Sequence, residues 1–171
     1  MARSVETLVV GRVIGDVIDM FVPSVEMTVQ YGPRQIGNGC ELKPSATTMA
    51  PKVQLNGDRN SFYTLVMTDP DAPSPSEPTM REWLHWIVAD IPGSSDATQG
   101  KQIVPYMGPK PPIGIHRYIF VLFKQPGRMQ MFPPHARNNF STRNFAEQYG
   151  LGTPHGAVYF NAQKEPGPRR R

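Results

Sequence analysis

The chain of 171 residues holds a single cysteine, Cys40, so no intramolecular disulfide can form. Scarce cysteine fits a reducing compartment, cytosolic or nuclear. Long apolar runs are missing too. The longest, such as Ile119–Phe123, fall far below the ~18 residues of a membrane-spanning helix. No apolar stretch follows the amino terminus, which argues against a secretory signal. Charge of one sign is sparse. The net charge is +4, and the last eight residues supply +3 of it through Lys164, Arg169, Arg170 and Arg171 against Glu165. The near-neutral body argues against direct nucleic-acid binding through a broad basic face. There is no G-x-S-x-G nucleophile elbow and no closely spaced histidine pair of the kind common in metal motifs.

Proline and glycine are plentiful instead, at 19 and 15 residues. They interrupt the chain every few positions, which forbids long helices and suits short strands joined by turns. Thr7–Ile18 reads as a short amphipathic helix or an extended lead-in, with Leu8, Val9, Val13 and Val17 at helical spacing. Glu26–Tyr31 alternates as a half-buried strand with Met27, Val29 and Tyr31 inward. Lys52–Leu55 is a short strand and Asn56-Gly57 a hairpin signal. Phe62–Thr68, Trp83–Ala89, Tyr118–Phe123 and Ala157–Asn161 supply further strands, the first a central one. Ser141–Tyr149 is the best helix, with Ser141 as its cap and Gly150 as its stop. The sum is a mainly β, two-sheet sandwich with Greek-key links and one or two short peripheral helices. It forms one domain over residues 1–163, followed by a basic, disordered tail at 164–171.

Three clusters carry chemistry. Asp69-Pro70-Asp71-Ala72-Pro73 follows the central strand, its prolines holding both aspartates in a stiff segment. If strand geometry persists, Asp69 and Asp71 share a face; the plainer reading is a polar turn capping the strand. His85 lies inside the apolar run Trp83–Val88. Alternation puts it with Ile87 and Ala89, opposite Leu84, Trp86 and Val88. Alone it reads as a core histidine satisfied by a hydrogen bond. Gly114-Ile115-His116-Arg117-Tyr118 heads another strand, with His116 and Tyr118 on one face and Arg117 on the other, free for a structural ion pair. Gly114 permits a close backbone approach to a ligand. A metal site of two histidines and a carboxylate is one explanation, and a hydrolase is another. The donor count fits an anion pocket best, in which imidazole N–H and phenol O–H groups hold a phosphate or carboxylate while the aspartates fix the tautomers.

Asp69-Pro70-Asp71-Ala72-Pro73-Ser74 and Gly114-Ile115-His116-Arg117-Tyr118, with His85 between them, resemble the paired signatures of the phosphatidylethanolamine-binding proteins. The resemblance spans about residues 5–165. The stretch Tyr63–Ser76 is similar to the plant branch that includes FLOWERING LOCUS T and TERMINAL FLOWER. Met80–Trp86 and Tyr159–Pro166 look like its MOTHER OF FT type. The resemblance implies a β-sandwich whose anion pocket is lined by Asp69, Asp71, His85, Gly114, His116 and Tyr118. It implies no catalysis and no cofactor or resident metal. The expected role is regulation of flowering, seed germination and dormancy, and hormone response.

Trp83 stands where the flowering promoters carry Tyr and the repressors His, and so marks the pocket rim and the subtype. His135-Ala136-Arg137-Asn138-Asn139 departs from the promoters' external loop. The family's partner route is a 14-3-3 protein bridging to a bZIP transcription factor. Pro92 and Arg128 match that surface and Arg137 is added to it, whereas Asn60 and Gln99 depart from it. A phosphate or phospholipid head group is the implied small ligand. The protein is expected to be a monomer of cytoplasm and nucleus. Glu77–Pro78 falls at a cis-proline site of the family.

Overall fold

A computed structural model of the chain describes residues 5–167. The amino-terminal segment forms a short helix α1 (Glu6–Val10) and a single kinked turn α2 (Val13–Asp16). The helix breaks at Arg12, whose φ is +58°, and the preceding Gly11 packs where a Cβ would lie 2.3 Å from the Tyr159 hydroxyl. Leu8, Val13 and Val17 point inward as the helical spacing predicts, while Val9 is exposed.

The strands are β1 (Glu26–Tyr31), β2 (Arg34–Gln35), β3 (Cys40–Glu41), β4 (Lys52–Asn56), β5 (Phe62–Asp69), β6 (Trp83–Pro92), β7 (Lys101–Val104), β8 (His116–Lys124) and β9 (Gly156–Ala162). They make the mainly β, two-sheet architecture that the sequence predicts. A three-stranded sheet, β2-β1-β4, stacks on a six-stranded sheet, β3-β9-β8-β5-β6-β7. Every pair is antiparallel except β3–β9, which runs parallel. Helix α3 (Thr142–Gln148) is capped by the Ser141 hydroxyl, which accepts from the Asn144 amide at 3.1 Å, and Gly150 follows it at φ +62°.

β5 and β8 sit at the centre and are covered on both faces, which is why each reads as a continuous apolar run. Leu65, Met67, Phe120 and Leu122 pack between the sheets against Val29, Val53 and Leu55. Val66, Ile119, Val121 and Phe123 pack on the outer face beneath the amino-terminal turns and α3.

Two expectations fail for identifiable reasons. Asn56-Gly57 is no hairpin. β4 pairs with β1 in the small sheet and β5 with β6 and β8 in the large one, so the chain changes sheets here. The Gly57 amide donates to Gly93 O at 2.7 Å and the Gly93 amide to Ser61 O at 3.0 Å, so the turn is closed by a third segment. The strict alternation along β6 fails as well. Met67 pairs with Trp86 and Thr68 with Leu84, so His85 has no partner across the ladder and forms a bulge. Leu84 therefore joins Ile87 and Ala89 on the outer face, while Trp86 and Val88 face the small sheet.

The peptide at Glu77–Pro78 is trans; among the described residues the cis bonds are Ala72–Pro73 and Arg81–Glu82. Of the basic tail, residues 168–171 lie outside the described residues. Just before them the Glu165 carboxylate accepts from the Ser45 amide at 2.6 Å and the Ser45 hydroxyl at 3.0 Å.

The sheet crossing makes a sharp demand on Gly93. A Cβ there would meet Asp58 O at 1.8 Å, whereas one on Gly127 would meet nothing within 4 Å. Gly93→Ala should cost about 2–3 kcal/mol, and Gly127→Ala should stay within about 0.5 kcal/mol of wild type. Urea denaturation of the two variants checks both figures.

Candidate functional site

One end of the large sheet gathers the predicted residues. Asp69 closes β5, His116 opens β8, and Trp83 and His85 open β6. Together with Tyr118, Ala72, Pro73, Met80 and, from the loop 105–115, Met107, Gly108, Lys110, Pro111 and Pro112, they line a cavity of about 220 Å³.

His116 is fully buried and both ring nitrogens are committed. Nδ1 lies 2.7 Å from Asp69 Oδ2 and Nε2 lies 2.9 Å from the Ile113 carbonyl. Both partners are acceptors, so the ring donates twice and is an imidazolium against the Asp69 carboxylate. Burial alone would lower its pKa; the hydrogen bond and charge of Asp69 outweigh that and raise it. Asp69 also accepts the Asp71 amide at 2.7 Å and faces the Tyr118 phenol. Burial, aided by that carboxylate, pushes the phenol far up, so Tyr118 stays neutral. The Tyr118 ring stacks on His116 at 6.3 Å and takes His85 edge-on at 5.2 Å.

His85 is 4% exposed, and the β6 bulge turns it into the cavity. Nδ1 donates to the Met107 carbonyl at 2.5 Å, which leaves Nε2 as the acceptor of the neutral ring. Burial lowers its pKa, only partly opposed by the Met107 carbonyl and Asp69.

Asp71 and Gly114 do not line the cavity. The Asp69–Asp71 contact is an Asx-type turn that ends the extended geometry on which a shared face depends. Asp71 instead takes a forked Arg117 guanidinium, with Nη2 to Oδ1 at 2.8 Å and Nε to Oδ2 at 2.9 Å, and the Arg117 amide at 2.9 Å. Burial would raise this carboxyl, but Arg117 holds it below the usual carboxylate range. Arg117 also meets Asp16 at 2.9 Å and Gly11 O at 2.8 Å, tying the amino-terminal turns to β8 as the structural ion pair the sequence suggests. Gly114, at φ +78°, packs where a Cβ would lie 2.7 Å from the Pro75 ring. It positions the loop and is not on the cavity wall.

The expected partner residues divide. Pro92 pairs with Phe62 across β5–β6, and the exposed Arg128 guanidinium lies 4.7 Å above the Phe62 ring. They share the far end of β5 from Asp69, about 23 Å away along the strand. Arg137 sits at the cavity end with its guanidinium turned inward, donating to the carbonyls of Leu84 at 3.0 Å, His85 at 3.2 Å and Pro105 at 2.8 Å. It braces the bulge.

Sequence reading missed Met80 and the loop residues Met107, Lys110, Pro111 and Pro112. The stiff run Gly108-Pro109-Lys110-Pro111-Pro112 just before His116 was the available signal. Lys110 is exposed and has no ion-pair partner among the described residues. Among the described residues, no group of three or more His, Cys, Asp or Glu is placed to hold a metal ion, and no helix is long and apolar enough to cross a membrane.

The two cavity histidines should titrate on opposite sides of the ordinary value of 6.5, His116 above it and His85 below. The stability that His116 lends is complete below pH 6.5 and fades as pH rises through its folded value. His85 works the other way, costing stability as pH falls below 6.5, where the unfolded chain takes a proton that the folded ring resists. Ring ¹⁵N spectra across a pH series test the order, and Asp69→Asn should bring the His116 midpoint down.

Comparison with known proteins bears on this geometry. Residues 23–161 match the family model described as "Phosphatidylethanolamine-binding protein". The chain is 57% identical to "Protein MOTHER of FT and TFL1 homolog 2" of Oryza sativa subsp. japonica, with 100% of each chain covered. It is 52% identical to "Protein TERMINAL FLOWER 1" of Arabidopsis thaliana, covering 99% of this chain and 97% of the relative. Its fold is shared with a carboxypeptidase Y inhibitor solved in complex with its cognate proteinase, at TM-score 0.85 and 24% identity, over 94% of this chain and 95% of the inhibitor.

Proposed function

The chain belongs to the phosphatidylethanolamine-binding protein family, in its plant branch of flowering regulators, and we propose that it is a non-enzymatic developmental regulator of the MOTHER OF FT type. It acts through protein partners in transcriptional control of germination, dormancy and flowering, moving between cytoplasm and nucleus. Its cavity is a regulatory ligand site for a small anion.

One observation carries the non-enzymatic reading. The charged floor of the cavity is internally neutralised. Asp69 and His116 form an ion pair whose imidazole nitrogens are both spent, on a carboxylate and a backbone carbonyl. A general base needs a free nitrogen within reach of a nucleophile. This pair offers none, and the open nitrogen on the wall, His85 Nε2, has no serine, threonine or cysteine among the lining residues to activate.

The partner surface of this proposal is the exposed Arg128 over Phe62 beside Pro92. A 14-3-3 protein is the proposed partner there, bridging to a bZIP transcription factor. Arginine on an aromatic platform is a common energetic centre of interfaces. Arg128→Ala should weaken 14-3-3 binding roughly tenfold or more, measured by calorimetry against wild type, with Arg34→Ala, exposed on β2 at the other end of the molecule, as a remote control. Unchanged affinity in Arg128→Ala would remove this surface from the proposal.

A second reading, a phospholipid head-group carrier or sensor, draws support from Met107 and Lys110 on the cavity wall and from Ile113 and Ile115, exposed farther along the same loop. It expects developmental output to fail in His116→Ala plants and to survive in Arg128→Ala plants. The partner reading expects Arg128→Ala to be the damaging change.

A further inference from the structure

β6 carries a second bulge, at the end of the sheet away from the cavity. Tyr63 pairs with Ile91 and Leu65 with Val88, so Ala89 and Asp90 together stand against Thr64 alone. Asp90 takes up the extra length at φ +54°. A residue other than glycine keeps that left-handed conformation only where its surroundings hold it. Here the holder is Gln125, which is buried. Its side-chain oxygen accepts from the Asp90 amide, which the bulge takes off the ladder, at 2.8 Å and from the Thr64 hydroxyl at 2.7 Å. Its side-chain nitrogen donates back to Asp90 Oδ1 at 2.7 Å.

The same two residues shape the turn that carries Arg128. The Gln125 amide donates to Phe62 O at 2.8 Å, Gln125 Nε2 to Gly127 O at 2.9 Å, and the Met129 amide to Asp90 Oδ1 at 3.2 Å. Arg128 lies between the last two. Asp90 Oδ1 accepts from both Gln125 and Met129, so one oxygen ties the bulge to the turn. Arg128 itself is exposed, and its guanidinium makes no hydrogen bond or ion pair among the described residues. Its place is set by the path of the backbone and by the Phe62 ring 4.7 Å beneath it. A long exposed arginine otherwise samples many rotamers, and ordering it on binding costs affinity.

We propose that Asp90, together with Gln125, is a positioning residue for the partner surface, acting on binding through Arg128 by fixing the turn that holds its guanidinium over Phe62. This rests on the reading of Arg128 as a partner contact and adds the device that prepares it. A glycine would meet φ +54° without strain. It would leave the Met129 amide and the Gln125 side chain without their shared acceptor, and the turn would lose its tie to the sheet.

The test uses labelled full-length protein and four variants: Asp90→Gly, Asp90→Asn, Arg128→Ala and the double variant Asp90→Gly/Arg128→Ala. Asp90→Gly removes the acceptor at a backbone angle that suits glycine, so the fold is kept. Asp90→Asn keeps Oδ1 as an acceptor and tolerates the positive φ. In the free protein, the Met129 amide should exchange faster with solvent in Asp90→Gly. The Arg128 side-chain protons, displaced by the Phe62 ring, should move toward the shifts of a free arginine. Both readouts should stay at wild-type values in Asp90→Asn. Calorimetry against a 14-3-3 protein should show Asp90→Gly binding roughly three- to tenfold more weakly than wild type, and Asp90→Asn unchanged. In the Arg128→Ala background, Asp90→Gly should add nothing, a result that a merely structural role would not produce. An equal loss in both backgrounds overturns the proposal and leaves the partner surface standing. So does unchanged affinity in Asp90→Gly while Arg128→Ala binds weakly. No binding by wild type, or unchanged affinity in Arg128→Ala, takes down the surface reading and the positioning role with it.

Discussion

Asp69 and Asp71 leave the end of one central strand for opposite faces of the sheet, and each meets a cation from the head of the next strand. Asp69 takes His116 and Asp71 takes Arg117. This pair of pairs fixes everything around it. It sets the floor of the cavity on one side and ties Gly11 and Asp16 to the sheet on the other. Buried ion pairs are weak evidence of net stability, because desolvation offsets much of the attraction. Breaking one is costly, since the remaining charge has nowhere to go. The constraint is therefore one of specificity: the two strand ends have a single low-energy arrangement, and the loops that cover them are built onto it.

Much of this was legible in the sequence because it depends on local pattern. β5 and β8 are packed on both faces and announce themselves as continuous apolar runs. α3 carries its cap and its stop in plain view. The Asp69, His85, His116 and Tyr118 convergence follows from their placement at strand ends. Two of the failures share one cause, a partner distant in sequence, and the third is local. Asn56-Gly57 has hairpin chemistry, but Gly93 closes the turn and directs the chain into the other sheet. Period-2 alternation put Leu84 on the wrong face because the bulge at His85 is created by register with Thr68 and Met67. Asp71 was assigned to the cavity on an extended geometry that the Asp69 side chain itself ends.

Arg137 shows the same lesson from the other direction. As a charged residue in a loop rich in polar residues, it reads as surface. The bulge at His85 leaves carbonyls of Leu84 and His85 off the ladder, and buried carbonyls require donors. Arg137 supplies them, with the Met107 amide as a second donor to His85 O at 2.9 Å. The guanidinium is thus consumed by a defect in a strand that no local signal reveals. The same defect turns His85 into the cavity, so the brace and the binding group have one origin.

The two ends of β5 are separate devices on a common rigid body. The Arg128 end is locked by a buried amide. Gln125 accepts from Thr64 at 2.7 Å and from the Asp90 amide at 2.8 Å, and donates to Asp90 at 2.7 Å and Gly127 O at 2.9 Å. The cavity end is covered by loop 105–115, held by His85 and His116 through Met107 and Ile113. A ligand shifts an equilibrium only through contacts that differ between its states. A cavity ligand touches the loop and not the Gln125 network. The loop's outer contact runs the other way, from the Tyr106 hydroxyl to Thr47 O at 2.7 Å. That places it on the short helix Pro44–Thr47, whose Ser45 holds Glu165. The loop over the cavity is thus anchored toward the carboxy-terminal segment, whereas the Phe62–Pro92–Arg128 surface lies at the opposite end of β5 and shares no loop with it.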